Sequence, residues 1–194
     1  MIVYEHNSWK SRGARLWKRA FDIFGPHLTL RRLFNLALVR AQYARRRPHV
    51  AGRPFMMYME VSSICNLRCP GCLAHDPTYH ARLMPFDEFR PILDRFAPNL
   101  VDLELYGWGE PFLNRDVFRM IRYAKRRNLF VRTSSNFNRF RPGDHERIVR
   151  SGLDQINASI DGTTQEVYSR YRVGASLDVA VGASPPSKQA LAST

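Results

Sequence analysis

All three cysteines of this 194-residue chain fall inside eight residues, Cys65-Asn66-Leu67-Arg68-Cys69-Pro70-Gly71-Cys72. Gaps of three and two residues let one short loop turn three sulfurs toward a common centre, which is the behaviour of a metal-ligand set. An odd count cannot be paired within the chain, and a bridge across so short a gap would be strained. The thiols therefore point to a reducing, cytoplasmic setting. His75 follows Cys72 with two residues between, and Cys65, Cys69, Cys72 and His75 would also make a Cys3His zinc set.

Three further clusters carry chemistry. Gly107-Trp108-Gly109-Glu110 joins glycines, which let a backbone approach closely, to a carboxylate, the natural partner of an ammonium group. Ser135-Asn136 and Ser159-Ile160-Asp161-Gly162 supply hydroxyl, amide and carboxylate groups, and Arg172 offers a planar cation. Taken singly, each has an ordinary reading as a turn, a cap or a surface arginine.

The elements that would position these groups alternate. Phe55 to Ser62 reads as a strand, and Pro85 opens a helix to about Phe96. Val101, Leu103 and Leu105 alternate with polar residues as in a half-buried strand. A helix follows from Asn114 or Arg115, with Val117, Met120, Ile121 and Ala124 on one side. Leu129 to Thr133 is a short strand, Pro142 to Ser151 a helix stopped by Gly152, and Asp154 to Ser159 a strand. Thr163 or Thr164 caps one more helix. Four strand-then-helix units predict a parallel α/β sheet, and every polar cluster falls just after a strand, where ligands bind in such folds.

Ahead of this region the chain is strongly basic. The formal charge is +13, and residues 1 to 50 hold eleven Lys/Arg against two acids, Glu5 and Asp22. From Ser8 to about Arg47 apolar residues recur at helical spacing among basic ones, broken at Gly25-Pro26. Residues 8 to 47 could thus lie on an anionic membrane surface, bind nucleic acid, or pack their apolar stripe on the domain that follows. No apolar run approaches the roughly 20 residues of a spanning helix, and no secretion signal is visible. Localisation is expected to be cytoplasmic, with peripheral membrane attachment as an extension.

The segment from Glu60 to Cys72 resembles the signature of the radical S-adenosylmethionine (radical SAM) enzymes, with Cys65, Cys69 and Cys72 in their C-x3-C-x2-C spacing. The resemblance implies a [4Fe-4S] cluster held by these three cysteines, with an open iron that binds the amino and carboxylate groups of S-adenosylmethionine. Gly107, Gly109 and Glu110 are similar to the family's Gly-Gly-Glu element. Ser135 and Asn136 sit where the family often has Thr-Asn-Gly, and Ser159 and Asp161 where it has Ser-x-Asp-Gly. Arg172 resembles an arginine used against the methionine carboxylate. Gly71 departs from the family, which usually places an aromatic residue there. The implied activity is reductive cleavage of S-adenosylmethionine to a 5'-deoxyadenosyl radical, fed by an electron donor such as flavodoxin or ferredoxin and acting on an unassigned substrate. The alternative is a zinc-binding, nucleic-acid-binding module with a basic arm.

The expected architecture is a partial (β/α) barrel of the radical SAM type, of about four βα units, preceded by basic amphipathic helices. Residues 1–54 form the basic segment and linker, 55–177 the barrel, and 178–194 a disordered, low-complexity tail. The family core usually has six strands, so the chain reads as C-terminally truncated, with impaired activity or a complementing chain for the missing strands.

Overall fold

A computed structural model describes residues 24–46 and 48–183. The core is a four-stranded parallel sheet in the order β1-β2-β3-β4, made of β1 (Met56–Tyr58), β2 (Asp102–Glu104), β3 (Phe130–Ser135) and β4 (Gln155–Ala158). Helix α1 (Leu30–Ala44) precedes it; α2 (Phe86–Phe96) and α3 (Val117–Lys125) connect the first three strands, and α4 (Asp144–Ser151) leads to β4. Two short helices, α5 (Gln165–Tyr171) and α6 (Leu177–Ala183), follow.

The helices take the face predicted by periodicity. On α3, Val117, Met120, Ile121 and Ala124 have no exposed surface and meet Phe89 and Leu93 of α2 over Leu103, Leu105 and Val131 of the sheet. Burying such a side chain is worth about 1.5–3 kcal/mol, so this layer outweighs the modest helix propensity of the segments. The other face of the sheet is polar. Asp102 and Glu104 are buried there, and both pair with Arg132 of β3, which stands opposite Glu104 in the register.

Strand β1 is shorter than the expected Phe55 to Ser62. After Met59 donates to Glu104, the chain leaves β2, and Val61 accepts instead from Met84 at 3.1 Å, with an antiparallel bridge between Ser62 and Leu83. The backbone groups are satisfied by that returning segment, and the chain is released toward the cysteine loop.

The basic segment departs further from expectation. Residues 8–23 lie outside the described residues. In α1 the fully buried residues are Arg32 and Asn35, while Leu30, Leu33, Phe34 and Tyr43 are exposed and Leu36, Leu38 and Val39 half-buried, so only part of the apolar stripe is covered. The reason is local: Arg32 donates to the carbonyls of His27 (2.6 Å), Asn128 (2.6 Å), Ala97 (3.0 Å) and Arg127 (2.9 Å). Three of these carbonyls follow α2 and α3, where helix ends leave acceptors unpaired and partial negative charge accumulates. The expected linker also folds back, since Asn35 exchanges two hydrogen bonds with the Arg53 backbone at 2.8 and 2.9 Å.

The expected tail boundary at 178 is also corrected. Leu177–Ala183 is helical, with Ala180 buried against the cluster of Leu67, Phe137 and Tyr168. Ser176 starts it, its carbonyl accepting from Ala180 at 3.1 Å and its hydroxyl from Val179 at 3.4 Å. Small residues here allow close packing, which composition alone reads as low complexity. Residues 184–194 lie outside the described residues. No helix among the described residues is long and apolar enough to cross a membrane.

Candidate functional site

The cysteine loop is built on a turn that demands its sequence. Cys72 donates its backbone N–H to the Cys69 carbonyl at 3.2 Å, with Pro70 and Gly71 between them and Gly71 at φ +74°. This is a type II turn, in which proline presets the first central residue and glycine takes the positive φ of the second. Gly71 suits that positive φ, and nothing stands within 4 Å of where its Cβ would be. Leu67 anchors the loop from beneath at 2% exposure, and Arg68 donates to Val173 at 2.9 Å, tying the cysteines to the Arg172 segment.

The glycine-rich segment after β2 lies directly against this loop. Glu110 donates its backbone N–H to the Ile64 carbonyl at 2.8 Å. A Cβ on Gly109 would stand 2.1 Å from the Ser62 carbonyl oxygen and 2.8 Å from that of Ile64, so only glycine permits the approach.

Glu110 itself is 3% exposed and performs a task its motif does not reveal. Its carboxylate accepts from the Ser135 hydroxyl (2.8 Å), the Asn136 backbone (2.9 Å) and the Phe112 backbone (3.3 Å), locking the ends of β2 and β3 together. Burial pushes its pKa above the ordinary carboxylate value, against those donors. A carboxylate has about four acceptor sites, so one remains for an ammonium group.

Asn136 and Arg172 then reach the sulfurs. Asn136 Nδ2 lies 3.7 Å from Cys65 Sγ, the Leu67 N–H lies 3.5 Å from the same atom, and Arg172 Nη1 is 3.9 Å from Cys69 Sγ. The Cys72 thiol donates to the Trp108 carbonyl at 3.6 Å. Burial raises the Cys65 pKa, and the Leu67 N–H opposes it. Burial also works against the charge of Arg172, but its bond to Asp161 and the nearby Cys69 outweigh that and raise its pKa. Ser159 is held by its backbone N–H to the Ser135 carbonyl at 2.9 Å.

These contacts enclose a cavity of about 440 Å³. Cys65, Cys69, Cys72, Gly107, Gly109, Glu110, Ser135, Asn136, Ser159, Asp161 and Arg172 all line it, so every site residue expected from the sequence arrives at one place. Trp108, inside the glycine-rich motif but given no role by it, lines the cavity as well, as do Tyr106, Ser134 and Tyr171. Tyr106 could have been found from the alternation of its strand, two residues beyond Glu104.

The donor set fits a sulfur-ligated cluster better than a single ion. Among the described residues, no three His, Cys, Asp or Glu side chains converge closely enough to chelate one ion. His75 is turned away from the cavity, its Nε2 bonded to the Leu67 carbonyl. The three sulfurs instead stand around a space with N–H donors aimed at two of them, as thiolates in iron–sulfur sites are stabilised.

Comparison with known proteins agrees with the geometry. The sequence model of the Radical SAM superfamily matches residues 59–183. Mycofactocin maturase MftC of Mycolicibacterium smegmatis is 28% identical over 130 residues, 67% of this chain and 33% of the relative. The chain thus spans about a third of that curated relative's length. Among solved structures, SuiB of Streptococcus suis bound to S-adenosylmethionine superposes with a TM-score of 0.56 at 16% identity, over 84% of this chain and 38% of that one. SuiB bound to its precursor peptide SuiA gives 0.59 at 13% identity, over 94% and 38%. At such identities the structures show a shared fold.

Proposed function

Because the chain belongs to the radical SAM superfamily, whose members are enzymes that use a [4Fe-4S] cluster and S-adenosylmethionine, we propose that its cavity holds both groups for radical catalysis. The observation that carries this reading is the convergence on one cavity of all eleven sequence-derived residues, ten from the ends of four strands and Arg172 from the end of α5. Cys65, Cys69 and Cys72 would hold three irons, leaving the fourth for the amino and carboxylate groups of S-adenosylmethionine. When bound, these groups supply one-electron reductive cleavage of a carbon–sulfur bond and hydrogen-atom abstraction from substrate.

The chain's residues prepare the site. N–H donors from Leu67 and Asn136 approach Cys65 and one from Arg172 approaches Cys69, and the Leu67 N–H works against the burial that raises the Cys65 pKa. Arg172, oriented by Asp161, presents a fixed cation to a carboxylate entering the cavity. Glu110 takes an ammonium on its remaining acceptor site while holding the Ser135-Asn136 corner in place. Trp108, half exposed at the rim, is placed to shield the cavity from water. An electron donor of the flavodoxin or ferredoxin class would reach the cluster loop from its exposed side.

Anaerobic reconstitution with iron, sulfide and reductant tests the proposal. The expected result is a brown protein that converts S-adenosylmethionine to 5'-deoxyadenosine, with colour and product both lost in Cys65→Ala, Cys69→Ala or Cys72→Ala. A colourless protein that retains one zinc through the same preparation would refute it in favour of the Cys3His reading.

A further inference from the structure

Beside the cofactor cavity, on the polar face of the sheet, lies a second cavity of about 490 Å³ that shares only Gly107 and Trp108 with the glycine-rich motif. Its wall is four aromatic rings, Tyr58, Tyr79, Tyr106 and Trp108, around the carboxylate of Glu60. Tyr58 and Tyr106 meet edge to face with centroids 5.7 Å apart. Glu60 is held in place, accepting from the Trp108 backbone N–H at 2.6 Å and from the Tyr79 hydroxyl. It forms no ion pair with a described residue, so its charge has no cationic partner among them.

The described cations nearby are already engaged: Asp102 and Glu104 share the guanidinium of Arg132 on this face of the sheet, and Arg82, which lines a neighbouring cavity with Glu60 and Tyr79, is paired with Glu88. Electron-rich ring faces and an unpaired carboxylate attract an organic cation by cation–π and ionic contacts together, and a neutral or anionic group gains neither. Burial and Glu60 hold the Tyr79 hydroxyl up at about 12, so it remains a neutral donor beside that carboxylate.

The geometry points to a substrate subsite here for a basic side-chain-like group, an alkylammonium or alkylguanidinium, seated among Tyr58, Tyr79, Tyr106 and Trp108 with its charge on Glu60. This deepens the proposed function and rests on it, because Tyr106, Gly107 and Trp108 are shared with the cofactor cavity. A substrate anchored by its cation would thereby extend toward the cluster loop.

The test is a ligand-observed NMR titration of the full chain, before and after cluster reconstitution, with butylammonium, butylguanidinium and neutral butanol. Saturable binding of either cation without binding of butanol is expected, and the tighter of the two identifies the group. Glu60→Gln keeps an acceptor for Trp108 and removes the charge; it should weaken the cation by about tenfold, and Tyr58→Leu by about threefold, within the range of single cation–π and ionic contacts. Equal affinity for butanol and the cations in the wild-type chain, or unchanged cation affinity in a folded Glu60→Gln, would overturn the subsite. Iron content and 5'-deoxyadenosine, measured on the same samples, report separately on the cofactor reading. Their loss with cation selectivity intact would sink that reading and overturn the subsite's role toward a substrate, leaving the cavity a cation-binding site alone.

Discussion

Two glycines in the site look alike in sequence and should behave differently. Gly71 has a φ of +74° with nothing within 4 Å of an added Cβ, so Gly71→Ala meets only backbone strain of about 1–2 kcal/mol. At Gly109 the same methyl would collide with the carbonyls of Ser62 and Ile64, neither of which can rotate away. Gly109→Ala should cost more, about 2–3 kcal/mol, and should separate the cysteine loop from Glu110. Urea denaturation with iron content on the same samples checks this: Gly71→Ala should keep its iron and Gly109→Ala should lose most of it. Equal effects at the two positions would mean that the close approach is unimportant. The cavity-lining cysteines and polar residues were legible in the sequence, because spacing and position after a strand are sequence properties. The locking role of Glu110 was not, because its partners Ser135 and Asn136 are brought to it only by strand pairing. Phe137 is a similar case. It adopts φ +56° where the family often has glycine, and its ring, 1% exposed and 4.8 Å from Phe140, offsets a strain that no motif foretells.

The elements were legible where periodicity was strong and misread where polar side chains carry the packing. Helices α2 and α3 and the four strands follow apolar spacing and appear in the predicted order. Helix α1 follows that logic only in part, since its most buried residues are Arg32 and Asn35, while Leu30 and Leu33 are exposed and Leu36, Leu38 and Val39 are half-buried. A pattern of hydrophobic residues cannot announce a helix docked through hydrogen bonds. Arg32→Met would keep the volume and leave the carbonyls of His27, Ala97, Arg127 and Asn128 without this donor, at a cost of about 3 kcal/mol. Arg32→Lys, with an ammonium unable to span all four, should fall between. Guanidinium chloride midpoints order the three chains, and a stable Arg32→Met would show that α1 is dispensable to the barrel. Leu30→Ser, at a residue 86% exposed, should leave the midpoint within about 0.5 kcal/mol.

At the scale of the molecule, the sheet divides an apolar, helix-covered side from a charged one, and that division makes stability depend on pH. Asp102 is 1% exposed on the charged side. Burial pushes its pKa above the ordinary 3.8, with Glu104 and Asp154 adding to the shift and Arg132 opposing it. The folded chain therefore holds this proton more tightly than the unfolded chain does. Between the ordinary value and the raised one the folded state binds more protons, so stability falls as pH rises through that window. The contribution is complete below the ordinary value and gone above the raised one. Glu110, also raised by burial, acts in the same direction. Carboxylates held low by donors, such as Asp94 beside Tyr123 and Arg127, act oppositely, so the effect must be read as a difference. Asp102→Asn mimics the protonated form and cannot titrate. Urea midpoints of the wild-type chain and Asp102→Asn, taken from acid to neutral pH, should therefore show the wild type losing ground steadily as pH rises. A gap that instead moves in the wild type's favour would mean that attraction to Arg132 exceeds the desolvation of Asp102, and that the charged face is held together by its charges despite their burial.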